Sequence, residues 1–154
     1  MIGRLARGLA AGATGTIALE LTTYLDILIR GRPPSDQPQR LGAALAGRLG
    51  VAAGDDEAAR SRRSGLGSAT GYIDGLTLPM LYAVVAPRRD RPVRTVALLL
   101  SAGAMIGSNG PAVALGLTDP RDWSLDDWVT DVVPHLIYGF VAATMYELLI
   151  TRPA

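Results

Sequence analysis

Residues 95–118 read TVALLLSAGAMIGSNGPAVALGLT, which is 24 consecutive residues without a charged side chain between Arg94 and Asp119. A helix that crosses the hydrocarbon core of a bilayer needs roughly 20 mostly apolar residues. A soluble domain of this size would instead distribute its apolar residues in short periodic patches. The stretch therefore predicts a transmembrane helix, and the rest of the chain is interpreted from it.

Three further segments of comparable length flank this stretch. Residues 8–29 and 64–87 are interrupted by the acids Glu20, Asp26 and Asp74, and residues 132–146 carry no Arg, Asp or Glu before an apolar tail. With 154 residues in all, the chain has room for one domain. We predict a single transmembrane domain over residues 1–154 with four spanning helices, at about 4–30, 64–87, 93–117 and 126–151.

The long first loop, about residues 31–63, is predicted to contain a shorter helix. Leu41, Leu45 and Leu49 recur at helical spacing, which indicates an amphipathic helix near residues 37–50. This helix has two interpretations: it lies on the membrane surface, or it packs on the loops of the bundle itself. The predicted fold class is all-α, an integral membrane four-helix bundle with a short amphipathic helix in the first loop.

Local signals mark the ends of the predicted spans. Gly31, followed by two prolines, predicts the end of the first span, because proline cannot continue a helix. Ser124 followed three residues later by Asp127 predicts a capping box at the start of the fourth, with Asp where Glu is usual.

The distribution of arginine predicts the topology. All 15 basic residues are Arg, which together with the Ala and Gly content is typical of a GC-rich bacterial genome. The short loop at residues 87–94 carries four Arg, whereas the short loop at 119–128 carries one, and basic residues in short loops stay in the cytoplasm. We therefore predict a multi-pass protein of the bacterial plasma membrane with both termini in the cytoplasm. Trp123 and Trp128 then fit an outer aromatic belt.

Small residues form stripes along the predicted spans. Such faces let helices approach closely, so we interpret them as packing surfaces rather than as a cofactor site. The expected partners are the lipid bilayer and either a homo-oligomer or another membrane protein, with no nucleic acid. The predicted helix-packing residues are Gly8, Gly12, Gly15, Gly67, Gly71, Gly75, Gly103 and Gly107.

Five polar residues form the candidate intramembrane site: Glu20, Asp74, Asn109, Asp131 and His135. An ionised carboxylate near the bilayer centre costs at least ~2.5–3.5 kcal/mol on insertion scales, so such acids suggest function, as a proton or cation relay or a site for a cationic substrate. The alternative is a structural role, in which a protonated acid is hydrogen-bonded to Tyr24, Thr23, Tyr72 or Asn109. Glu20 and Asp74 lie at similar depth on consecutive helices, and we expect them to approach each other with at least one protonated. Asp131 precedes His135 by one helical turn and is expected to orient its ring or raise its pKa. His135 is then either a proton-handling residue that faces the same cavity as Asp74 or a hydrogen-bonded packing residue beside a kink at Pro134.

The lack of Cys and the single His limit the kinds of functional site that the chain can form. The absence of Cys excludes disulfides and thiolate catalysis, and a single His argues against a metal site, so no metal, cofactor or catalytic residue is predicted. We predict a non-enzymatic accessory or helix-packing component. The alternative is a small oligomeric proton- or cation-coupled transporter or ion pathway that uses the buried carboxylates. An intramembrane enzyme has only the pair Asp131 and His135 in its favour.

Several short sequences resemble a known group. They are TYLD at residues 23–26, RGRP at 30–33, and TDPRDW at 118–123, leading to the pairs Pro134–His135 and Tyr138–Gly139. The chain resembles small actinobacterial four-helix integral membrane proteins with no known activity. The resemblance covers the end of the first span and the third loop through the fourth span. It implies a membrane bundle and no mechanism.

Overall fold

The computed structural model describes residues 1–50, 55–85 and 91–151, and within these ranges every regular element is a helix. The all-α prediction is therefore confirmed. The predicted end of the second span at residue 87 and residues 88–90 of the basic loop lie outside the described ranges. The helices are α1 (Ile2–Arg30), α2 (Gln37–Leu49), α3 (Glu57–Val85), α4 (Val93–Ala114) and α5 (Leu125–Thr151), with a 3-10 turn at Pro120–Asp122.

Helix α3 begins at Glu57, earlier than the predicted residue 64. The reason is a cap at Asp56, whose carboxylate accepts a hydrogen bond from the backbone N–H of Ala59, at 2.7 Å. A side chain that caps the first turn, followed by an acidic residue, stabilises a helix N-terminus. The first two turns of α3 therefore precede the segment that was predicted from hydropathy.

Other helix ends follow the sequence signals. Gly31 adopts a left-handed conformation with φ 64°, and its N–H donates to the carbonyl of Ile27 at 2.9 Å, which ends α1. At the start of α5, the N–H of Ser124 donates to the Asp127 carboxylate at 2.9 Å, and the N–H of Asp127 donates to Ser124 Oγ at 3.1 Å. The predicted capping box is therefore confirmed.

The four long helices pack side by side through small residues. Helix α1 packs on α3 and α5, and α4 packs on α5 and, less extensively, on α3. At the crossing of α1 and α3, a Cβ at Gly12 would lie 2.7 Å from the carbonyl oxygen of Gly75. The buried apolar residues between these helices are mainly Ala11, Ala83, Ala97, Ala104, Ala112, Tyr138, Ala142 and Ala143.

The short helix α2 packs on the N-terminal half of α3 with its backbone close to that of α3. A Cβ at Gly67 would lie 1.7 Å from the carbonyl oxygen of Pro38, and one at Gly42 would lie 1.9 Å from that of Arg63. Leu41, Gly42 and Ala46 are the buried residues of α2. Helix α2 thus packs on the protein itself, with a helix rather than the loops as its partner.

Large aliphatic side chains lie on the outside of the long helices. Ile17, Ile73, Ile106 and Ile137, near the middle of α1, α3, α4 and α5, are 58%, 61%, 70% and 40% exposed. Among the described helices, α4 and α5 each contain a segment that is long and apolar enough to cross a membrane. Each of these segments is 39% buried, whereas the core helix of a soluble protein is mostly buried. Helices α1 and α3 are longer, at 29 residues each, but less apolar.

Candidate functional site

Four of the five residues predicted to form a polar site lie together between α3, α4 and α5. We call Asp74, Asn109, Asp131 and His135, together with Ser108, the polar cluster. Asn109 Nδ2 donates to Asp131 Oδ2 at 2.9 Å, and Asp74 lies within electrostatic range of His135. The cluster brings two carboxylates to one imidazole in the part of the protein where α4 packs on α5.

The ring of His135 is held at both nitrogens. Nδ1 lies 2.7 Å from the backbone carbonyl oxygen of Asp131, which can only accept, so Nδ1 carries the hydrogen and donates it. Nε2 lies 3.2 Å from Ser108 Oγ. Asp131 Oδ1 is farther from Nδ1, at 3.7 Å. Asp131 therefore orients the ring as expected, but the short contact comes from its backbone rather than from its carboxylate.

Asn109 connects the polar cluster to α2. Its side chain is buried, and its Oδ1 accepts a hydrogen bond from Gln37 Nε2 at 2.8 Å while its Nδ2 donates to Asp131. Gln37 was not predicted as part of the site, because no local pattern relates the start of a loop helix to the end of α4. Ser108 was not predicted either, although it immediately precedes Asn109.

Asp74 packs against a helix backbone that has no side chain at that point. A Cβ at Gly107 would lie 2.1 Å from Asp74 Oδ1, so a carboxyl group from α3 occupies the space that a side chain on α4 would fill. The fully buried Tyr138 lies within electrostatic range of Asp74 and donates its hydroxyl hydrogen to the Gly75 carbonyl at 2.8 Å. Gly107 therefore serves packing as predicted, with an acidic side chain as its partner.

Glu20 has different neighbours from Asp74. Its carboxyl group interacts with the hydroxyl of Tyr24, one turn further along α1 and largely exposed. The neighbours described for Asp74 are different: His135, Tyr138 and the backbone at Gly107. The expected approach of Glu20 to Asp74 stays a prediction.

Most of the predicted packing glycines lie at close helix crossings. An added Cβ would come within 3.0 Å of another helix at Gly8, Gly12, Gly15, Gly67, Gly75, Gly103 and Gly107. Gly71 differs: it is exposed, and a Cβ there would meet nothing within 4 Å among the described residues. Gly67 faces α2 and Gly75 faces α1, and Gly71 lies between these two contacts. Gly139, which was not among the predicted packing residues, packs against the carbonyl of Ala97 on α4.

Ion pairs and a pair of aromatic rings lie at the end of the protein where α1 ends and α5 begins. Asp26 pairs with Arg30 at 3.4 Å and with Arg32, and Arg30 also reaches Asp126 at 2.5 Å. The rings of Trp123 and Trp128 pack edge to face, 5.0 Å apart. Asp26, which was counted among the acids of the first span, therefore belongs to this charged end.

The loop between α4 and α5 contains a further Arg–Asp ion pair, between Arg121 and Asp119. The guanidinium of Arg121 donates to the Asp119 carboxylate at 2.5 Å and, together with its backbone N–H, holds the pKa of Asp119 below its usual range. Within the described ranges, no three His, Asp or Glu side chains converge as metal ligands would.

Comparison with protein-family models, with curated proteins and with solved structures finds no match. The function has to be inferred from the polar cluster, the packing of the helices and the outer surface.

Proposed function

We propose that this protein is a multi-pass integral membrane protein, a four-helix bundle that acts without catalysis as an accessory or helix-packing component of the bacterial plasma membrane. One observation carries the proposal. The isoleucines near the middle of the four long helices point outward, whereas the interior consists mostly of Ala, Gly and Tyr, with Leu100 and Val96 as its large aliphatic residues. Soluble proteins bury their large aliphatic residues and rarely expose extended apolar surfaces.

The dimensions of the helices support four crossings. A helix of 29 residues is about 43 Å long, and the hydrocarbon core is about 30 Å thick. Helices α4 and α5 have the hydropathy of membrane spans. Helices α1 and α3 are less apolar because they carry Glu20, Asp74 and many Gly and Thr residues. The Asp74 carboxyl packs against α4, which suits a helix that contacts other helices more than lipid.

The interior supports an accessory or packing role. Membrane helices associate through small residues and hydrogen bonds between helices, because lipid offers no hydrophobic driving force. Three hydrogen bonds join different helices in the interior: Asn109 to Asp131, His135 to Ser108, and Tyr138 to the Gly75 carbonyl. Such paired groups hold helices in register. The partners of this role are lipid and either further copies of the chain or another membrane protein.

Single-cysteine labelling tests the membrane topology, since the chain has no native Cys. In intact cells, a membrane-impermeant maleimide should label Leu125→Cys at the outer end of α5 and should fail to label Asp90→Cys in the basic loop. Labelling of Asp90→Cys alone would reverse the orientation. Release of the protein from membranes by alkaline carbonate would overturn the proposal itself.

A second candidate function is a small proton- or cation-coupled pathway. The observation that favours it is the polar cluster, in which His135 lies 3.7 Å from the Asp131 carboxylate and the Asp74 carboxyl packs against α4 at Gly107, next to Ser108. Glu20→Gln and Asp74→Asn separate the two candidates, because amides keep hydrogen bonds but cannot carry a charge. A packing role predicts that both variants fold and keep any cellular phenotype. A pathway predicts that purified vesicles lose proton or cation flux while the protein stays folded.

A further inference from the structure

We propose that His135 is a reversible proton-binding site, in which a second proton is taken up at Nε2 and the resulting positive charge is held by Asp74 and Asp131. The proposal goes beyond the packing role, because a packing histidine needs only one protonation state. It requires neither transport across the membrane nor a partner protein.

The hydrogen bonds of His135 can be satisfied in both protonation states. In the neutral ring, Nδ1–H donates to the Asp131 carbonyl at 2.7 Å, and Nε2 accepts from the Ser108 hydroxyl at 3.2 Å. When Nε2 takes a proton from water, it donates to Ser108 Oγ instead. The Ser108 hydroxyl then turns to the carbonyl of Met105, which already lies 3.2 Å away. Proton uptake therefore needs the rotation of one hydroxyl and leaves every heavy atom in place.

Two carboxylates lie where they can pair with a doubly protonated ring. A buried positive charge is costly unless it is paired. Helix α5 supplies Asp131, with Oδ1 3.7 Å from Nδ1. Helix α3 supplies Asp74, whose carboxyl packs against Gly107, the residue before the Ser108 that contacts Nε2. The polar groups nearest the ring on the other elements are uncharged: Ser108 and Asn109 on α4, Gln37 on α2, and Tyr138, which is bonded to Gly75. The charged groups of α2, Arg40 and Arg48, are exposed. On α1, Glu20 interacts with Tyr24, and Asp26 is paired with Arg30 and Arg32.

The site keeps contact with the exterior. The side chain of His135 is 11% exposed and that of Asp131 is 21% exposed. Asp131 lies near the start of α5, the end of the helix that also carries Asp126 and Trp128. Water would reach the ring from this charged end of the bundle, past Asp131.

The single histidine makes a direct test available. Protein labelled with ¹⁵N-histidine and reconstituted in lipid gives one pair of imidazole signals, and these report the tautomer and the protonation state. We expect the Nδ1–H tautomer at high pH and reversible protonation of Nε2 on acidification, with unchanged helicity by circular dichroism. The Nε2–H tautomer at high pH, or a ring that stays neutral from pH 9 to pH 5, would overturn the proposal.

Matched variants test the two carboxylates. Asp74→Asn should lower the proton affinity of His135 several-fold, because it removes a nearby negative charge. The matched control is Asp122→Asn, at an exposed position of the loop before α5, and it should leave the proton affinity unchanged. If Asp74→Asn fails to fold, Asp131→Asn provides the same test on the other carboxylate. Equal titration in Asp74→Asn and Asp122→Asn would contradict the proposed charge pairing. The imidazole signals can also be recorded in detergent, so failure of the site is distinguishable from failure to insert into vesicles.

Discussion

The crossing of α1 and α3 offers a sharp test of the helix packing, because Gly12 contacts backbone rather than side chain. A Cβ at residue 12 would lie 2.7 Å from the Gly75 carbonyl oxygen and 3.0 Å from Leu76 Cα, where ordinary contacts begin at 3.4 Å. In Gly12→Ala, α1 and α3 must therefore separate by several tenths of an ångström. The shift also disturbs the hydrogen bond from Tyr138 to the same Gly75 carbonyl.

The expected change in stability follows from two opposing effects. Overpacking of a close contact costs about 1–3 kcal/mol. Replacing Gly by Ala inside a helix contributes about 0.8–1 kcal/mol in the opposite direction. Gly71→Ala is the matched control, because residue 71 is exposed and a Cβ there meets nothing within 4 Å among the described residues. The control receives the favourable effect alone, so the two variants should differ by about 1–3 kcal/mol in the free energy of unfolding.

Reversible unfolding in mixed micelles of a mild detergent and sodium dodecyl sulfate measures this difference, with helicity read by circular dichroism. We expect Gly12→Ala to unfold at a lower fraction of sodium dodecyl sulfate than the wild type, and Gly71→Ala to unfold at an equal or higher fraction. If both variants unfold together, α1 and α3 do not approach each other as described, and the packing argument is wrong.

Three further predictions concern single contacts. Gly67→Ala should release α2 from α3, seen as faster hydrogen exchange over residues 37–49, whereas Gly65→Ala should not, because a Cβ at residue 65 meets nothing within 4 Å among the described residues. Tyr138→Phe should lower the free energy of unfolding by about 1–3 kcal/mol, because it leaves a buried carbonyl without its hydrogen bond. Ser124→Ala should cost about 1 kcal/mol and speed up amide exchange in the first turn of α5, because the capping box is lost.

Each of these predictions has a result that contradicts it. Unchanged exchange in α2 of Gly67→Ala would mean that α2 does not contact α3 by its backbone. Wild-type stability of Tyr138→Phe would mean that the Gly75 carbonyl has another partner. An unchanged first turn of α5 in Ser124→Ala would show that the neighbouring residues hold that helix end without the cap.

The sequence predicts the helices well where the signals are local. The ends at Gly31 and Ser124 depend on a few adjacent residues, and both appear in the structure as expected. The start of α3 was missed because residues 55–57 have the composition of a polar turn as well as that of a helix cap. Only the hydrogen bond from Ala59 to Asp56 separates these two interpretations.

The polar cluster was predictable only in part. Asp131 and His135 share a face of one helix, so their contact follows from helical spacing alone. The packing of Asp74 against Gly107 and the bond from Gln37 to Asn109 depend on how whole helices are rotated and docked. Those quantities are set by contacts between distant segments.

The central claim is that four helices cross the bilayer with their large aliphatic side chains toward lipid. Spin labels on single-cysteine variants at Ile17, Ile73, Ile106 and Ile137, in protein reconstituted into liposomes, test this claim most directly. These residues lie near the middle of α1, α3, α4 and α5 and are exposed. We predict that all four labels collide more often with oxygen, which concentrates in the bilayer, than with a water-soluble nickel complex. Preferential collision with nickel at any of the four sites would show that its helix faces water, and would contradict the four-span bundle.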